Sequence, residues 1–288
     1  MMILTQLDTV ALLAILLIGV PHGALDIDLS LAASNSSKNR MLFYFSYIVL
    51  ALGSFWLWSM LPTASLIVFL AISTVHFGRS NPFGLAKERT AKNWQLASVQ
   101  FFMGGAATIF IPALYWSQAQ LLFGSLGADS AVIRFVGLVA LPAWIASALV
   151  SMLYLRASRV AIICVFLCAL VAVKDVLSPL ILFSFYFCVL HSAPHFFRAM
   201  RFLRVPISSP PPMFLVNTVI AWLFVFLAYG FYDLVDNSVA ASLNAVFGVL
   251  FALTIPHMFL VDALLPRAAQ YWQADFSLDD GLKRNYGN

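Results

Sequence analysis

The sequence predicts an all-α, polytopic membrane helix bundle with eight or nine transmembrane helices. Composition is the first reason. Of 288 residues, 62% are hydrophobic and only 10% charged, with a mean hydropathy of +0.93, whereas a soluble domain carries roughly a quarter charged residues. The second reason is the texture of the apolar runs, which do not alternate with polar residues as barrel strands must; in lipid the remaining way to satisfy every backbone polar group is a helix. The third is the segregation of basic residues described below.

A crossing takes about 20 residues. The first run, 9–30, follows a terminus with Asp8 and no basic side chain before Lys38. That is unlike a secretory leader, so the run reads as a retained span. Residues 41–78 contain no Lys, Arg, Asp or Glu and are too long for one crossing. Pro62 breaks them into spans at 41–61 and 63–78. Further spans follow at 95–116, 132–155, 158–173, 177–197, 213–233 and 238–264, the short 158–173 run deciding between eight and nine. Residues 1–270 form one transmembrane domain, and 271–288 a short cytoplasmic tail.

With the N-terminus outside, the loops at 31–40, 79–94, 156–159 and 198–212 and the tail face the cytoplasm of a cell (inner) membrane. They hold 14 of the 16 lysines and arginines, leaving Arg134 and Lys174 outside, the pattern of the positive-inside rule. This accounts for a pI near 9.1 with the lipid bilayer as partner and no nucleic acid. Cys164, Cys168 and Cys188 are odd in number and lie in apolar runs, so no disulfide framework is implied.

All five histidines sit in or beside apolar stretches: Pro21-His22-Gly23, Val75-His76-Phe77-Gly78, His191-Ser192-Ala193-Pro194-His195 and Pro256-His257-Met258. On the span map all lie roughly 5–15 Å from the cytoplasmic edge, delivered by four helices. Ionisable groups at membrane depth are costly and mark function. A single buried histidine is commonly structural; five at one depth predict one metal site. His191 and His195, four apart, project from the same helix face, and neutral imidazole suits iron, copper, zinc or nickel. Asp26, four after His22, is placed to orient a ligating imidazole, with Asp262 in a similar relation to His257. Cys188, three before His191, is a further candidate ligand, while Asp26 and Asp28 could equally cap the first span. Gly104-Gly105 reads as a close helix contact.

At these residues the chain resembles the Brp/Blh family of β-carotene 15,15′-dioxygenases. The resemblance is carried by Pro21-His22-Gly23-Ala24-Leu25-Asp26, His76-Phe77-Gly78, His191 through His195 and Pro256-His257-Met258, and extends over nearly the whole chain. It implies cleavage of the central double bond of β-carotene or a related carotenoid by dioxygen, giving two retinal molecules. It also implies non-haem Fe(II) held by histidines, and a retinal-using microbial rhodopsin as the consumer of the product. His22, His76, His191 and His195 are the ligands assigned, with His257 and Asp26 supporting them, or His257 replacing one of the four. Asn81 stands where the family tends to carry an acidic residue, and Pro194 where an arginine often precedes the second histidine. Pro194 predicts a kink.

Other classes fit less well. Di-iron membrane desaturases use more histidines than five. A metal transporter places polar groups through the full membrane thickness, whereas these cluster on one side. A retinal-binding receptor needs a mid-helix lysine, and Lys174 beside Asp175 reads as a short outer loop.

Overall fold

Backbone amides and carbonyls in lipid must pair within their own segment, and every regular element among the described residues is a helix. The computed structural model describes residues 4–33, 37–80, 93–155, 157–234 and 238–264. Ten helices result: α1 (6–33), α2 (Ser37–Met60), α3 (Pro62–Arg79), α4 (Asn93–Leu114), α5 (Trp116–Ser125), α6 (Ser130–Tyr154), α7 (Ala157–Ala172), α8 (Pro179–Leu203), α9 (Pro212–Asp233) and α10 (238–264). Seven are long and apolar enough to cross a membrane: α1, α2, α4, α6, α8, α9 and α10. The chain is a multi-pass membrane protein. α3, at 18 residues, is about 27 Å long, close to the ~30 Å hydrocarbon core; α7, at 16, is the short run of the span map.

The helix ends have local causes. Leu61 leaves the helical region (φ −133°, ψ 60°) and Pro62 opens α3, where its missing N–H costs nothing. Asp129 caps α6 by accepting from the amides of Ala131 and Val132 at 2.8 and 3.2 Å. Thr5 and Asp8 form a capping box at the start of α1, and Asp8 also accepts from the hydroxyl of Ser178, the cap of α8. Asp8 thereby joins the N-terminal ends of two helices.

Two boundaries differ from the span map. The interval 116–132 was expected to be a connection and instead holds α5. Its Ala119, Leu122 and Phe123 are buried at i, i+3, i+4 spacing and it packs against α10, an amphipathic pattern too short to register as a span. The loop expected at 198–212 begins later, because α8 continues to Leu203 and buries Arg198 within it. Among the residues used to set the orientation, Lys87, Arg89, Lys92, Arg156, Arg267, Lys283 and Arg284 lie outside the described residues, as do Asn81, the 271–288 tail and the side chain of Asp262.

α10 is the axis of the bundle. Buried residues make up 72% of its most apolar stretch, against 17% for α2, and it packs against α2 and α9. Outward-facing Phe45, Ile48 and Leu52 on α2, Phe135 and Leu138 on α6, and Leu223 and Phe226 on α9 form the lipid-facing belt. α3 and α4 meet at backbone contact: a Cβ on Gly104 would stand 1.8 Å from the Thr74 carbonyl oxygen, and one on Gly78 2.0 Å from that of Gln100.

Four helices contain a π turn: Ile15–Gly19 in α1, Ala106–Phe110 in α4, Tyr186–Ser192 in α8 and Phe259–Leu264 in α10. Three of these adjoin or include a histidine, and all four lie within a few residues of a proline: Pro21, Pro112, Pro194 and Pro256. The kink expected at Pro194 takes this form, with α8 running on through it. Neighbouring side chains donate to carbonyls around these turns. Ser184, Cys188 and Trp222 reach the Ala11, Ala14 and Leu16 oxygens at 3.0, 3.3 and 2.8 Å. Trp144 and Tyr186 reach those of Phe102 and Met103 at 2.7 and 3.1 Å. Irregular backbone at membrane depth is tolerated when protein satisfies it in this way.

Candidate metal centre

α1, α3, α8 and α10 each contribute histidine from their middle or C-terminal part, and the structure brings all five rings together. Ring centroids of His22 stand 5.3, 5.6 and 4.9 Å from those of His191, His195 and His257. His76 lies 4.9 Å from His191 and 5.0 Å from His257, and His195 is 4.9 Å from His257. His191 and His195, near-parallel at 6.1 Å, share one face despite the π turn. His76, His191, His195 and His257 are buried almost completely.

Three rings have their Nδ1 atoms occupied. His22 Nδ1 donates to the carbonyl of Gly19, the last residue of the π turn, at 2.5 Å. His257 Nδ1 donates to both Asp26 oxygens at 2.8 and 2.9 Å. Ser80 Oγ is hydrogen-bonded to His191 Nδ1 at 2.9 Å and lies 3.3 Å from the Phe77 carbonyl. A carbonyl and a carboxylate can only accept, so Nδ1 of His22 and of His257 carries the proton and Nε2 the lone pair. The Nε2 of His191 is buried with no hydrogen-bond partner.

A metal ion fits this donor set. Imidazole nitrogens about 2.1 Å from one ion hold ring centroids about 3.2 Å from it, so neighbouring rings stand roughly 4.5–5.3 Å apart. Five of the distances above fall in that interval. Asp26, His195 and His257 also present candidate ligand atoms within 4.8 Å of one another. Asp26, however, has its oxygens engaged by His257 and by the Tyr47 hydroxyl at 2.9 Å, which makes it the orienter of a ring, as carboxylates commonly are around metal-binding histidines.

Asp26 pairs with His257, 231 positions away, and not with a ring of its own helix; it is buried. Cys188 turns its thiol to the Ala14 carbonyl, which accounts for its burial without a ligand role. Lys174 sits in a turn between α7 and α8. Ser80, Tyr47 and Arg198 were not singled out from the sequence. Arg198 Nη2 donates to the Ser80 carbonyl at 3.0 Å, so the residue that ends α3 is held by α8 through both Arg198 and His191. Ser80 follows His76 by one helical turn, a spacing that could have drawn attention to it; nothing in the sequence links Tyr47 to Asp26.

Beside His22 and His257 lies a cavity of about 320 Å³ between α1, α2, α9 and α10, walled almost entirely by apolar atoms.

A family model described as Beta-carotene 15,15'-dioxygenase matches residues 13–265, a range that contains all five histidines. The Beta-carotene 15,15'-dioxygenase of an uncultured marine bacterium, 66A03, is 30% identical over 269 residues, covering 90% of this chain and 94% of its own. No solved structure matches the chain.

Proposed function

The chain belongs to the β-carotene 15,15′-dioxygenase family, and from that premise we propose that it cleaves the central 15,15′ double bond of β-carotene with dioxygen, giving two molecules of retinal. Each carbon of the broken bond takes one atom of dioxygen. The observation that carries this reading is the convergence of five imidazoles, four of them buried almost completely, beside an apolar cavity.

The cofactor of this reading is Fe(II), with His22, His76, His191 and His195 as ligands. His257 stands at the same range from its neighbours, with its Nδ1 fixed by Asp26, and is the residue to substitute for one of the four or to complete the shell. Bound iron supplies the redox partner that triplet dioxygen needs to react with a closed-shell polyene. The chain's own residues do the rest. Gly19, Ser80 and Asp26 hold three rings with Nε2 inward. Arg198 pins the end of α3 through the Ser80 carbonyl. Phe77 and Phe187 pack on the His191 ring at 4.6 and 5.8 Å, keeping water from that side.

Both substrates dissolve in the bilayer, as does retinal, so a retinal-using microbial rhodopsin in the same membrane is the natural consumer. We place the chain in the cell (inner) membrane with its N-terminus outside and C-terminus cytoplasmic, from the distribution of basic residues. Expression in a bacterial host that accumulates β-carotene, with retinoids separated by chromatography and iron measured on purified protein, tests the reaction. Loss of orange colour with retinal appearing is expected, and His76→Ala and His191→Ala should abolish both retinal and stoichiometric iron while leaving membrane expression intact. Persistent colour in cells whose membranes hold iron-loaded protein would overturn the reading.

A further inference from the structure

The cavity beside His22 and His257 has features that make it more than a packing defect. Its α1–α9 side is stitched shut, Trp222 Nε1 donating to the Leu16 carbonyl at 2.8 Å and Asn217 Nδ2 to that of Ala24 at 2.9 Å. The α2–α9 seam is closed over the second half of the two helices. There Phe55 packs on Phe224 and Tyr232 at 5.2 and 6.0 Å, and Ser59 is hydrogen-bonded to Tyr232 at 2.9 Å. Over the first half the two helices line the cavity, and Ile48, Leu52 and Ile220 at its rim are lipid-exposed, each more than half accessible.

Its chemistry selects an apolar occupant. Thr254 donates to the Leu250 carbonyl, Asn217 to Ala24, and Tyr47 and His257 to Asp26, so these lining groups are already committed. A ligand hydroxyl buried among them would lose its hydration without a replacement. The volume is at the low end of the ~300–1,000 Å³ range of ligand pockets, so the cavity holds a segment of a carotenoid while the rest extends into the bilayer. Where the cavity runs inward it is bounded by small residues. Ala51 and Ala221 are buried in its wall, and a Cβ on Gly23 would meet Asp26 Oδ2 at 3.4 Å and His257 Nδ1 at 3.7 Å.

We propose that this cavity is the polyene-binding site, that the substrate enters it from the bilayer between the first halves of α2 and α9, and that Ala51 and Ala221 set the width that admits a polyene to the metal. The proposal rests on the cleavage reading above and adds the route and the residues that gate it.

The test uses full-length protein purified without oxygen from β-carotene-accumulating cells. Retained β-carotene is read by absorbance, iron by elemental analysis, and retinal after admitting air. Ala51→Phe and Ala221→Phe should keep wild-type iron and retain about tenfold less β-carotene or lower still. Gly137→Phe, in the separate groove between α3, α4 and α6 where an added side chain meets open space, should match the wild type in all three. If a Phe variant loses iron, its Val counterpart replaces it and should show a partial loss of β-carotene at full iron. Wild-type retention by both alanine-site variants, or loss in Gly137→Phe instead, overturns the proposal while cleavage by the wild type stands. A wild type that holds β-carotene and iron yet forms no retinal sinks the cleavage reading, and the proposal with it.

Discussion

Asp26 is the residue on which the centre turns. It is buried, accepts from His257 and Tyr47, and lies one helical turn beyond His22. Its partnership with a ring on α10 could not be read from the sequence, because periodicity fixes the face of one helix and says nothing about which helix it meets. That the five histidines meet, by contrast, was legible from their depth, since a polar ring in lipid has few other reasons to be there. Asp26→Asn keeps the shape but weakens the grip on His257, and should lower iron affinity about 10–100-fold, read as release to a chelator. An unchanged chelation profile would remove Asp26 from the centre. Ser80→Ala should act in the same direction through His191, and Tyr47→Phe more weakly, because Asp26 keeps its bond to His257.

At the scale of the element, the contact between α3 and α4 sets the position of His76, which follows Thr74 by two residues. Gly104→Ala would put a methyl group into the Thr74 carbonyl oxygen, and backbone has nowhere to yield cheaply. A cost of about 1–3 kcal/mol is expected, seen as a lower melting temperature in detergent with iron occupancy falling in step. Gly137→Ala on α6 meets open space and should be neutral or stabilising by about 0.5–1 kcal/mol. Equal effects would show that the α3–α4 contact is not tight. The close contact was legible at Gly104-Gly105. Its partner on α3 was not, because glycine announces that something comes near without saying what. α5 escaped the span map for a related reason: ten residues with three buried positions make a helix only because α10 lies beneath them.

Across the whole molecule the apolar runs carried the span map and the break at Pro62, while the π turns and the inward continuation of α8 did not show, being answers to tertiary contacts. Orientation is the property that basic residues encode most directly. A fluorescent protein fused after Asn288 should glow in the cytoplasm, and an alkaline phosphatase fused there should stay inactive; the reverse pattern would invert the map and move the histidine cluster to the other leaflet. The π turns make helix phase a constraint on three of the four histidine-bearing helices, α1, α8 and α10. A π turn holds one residue more than the α-helix around it and absorbs it where it sits, whereas a residue inserted just before Pro194, in the regular helix that follows the turn, would rotate everything after it by about 100°. His195 and Arg198 would swing away from the rings and from Ser80 without any of these residues having changed. Chain length, counted in degrees of helix rotation, is thus as much a part of this centre as the identity of its ligands.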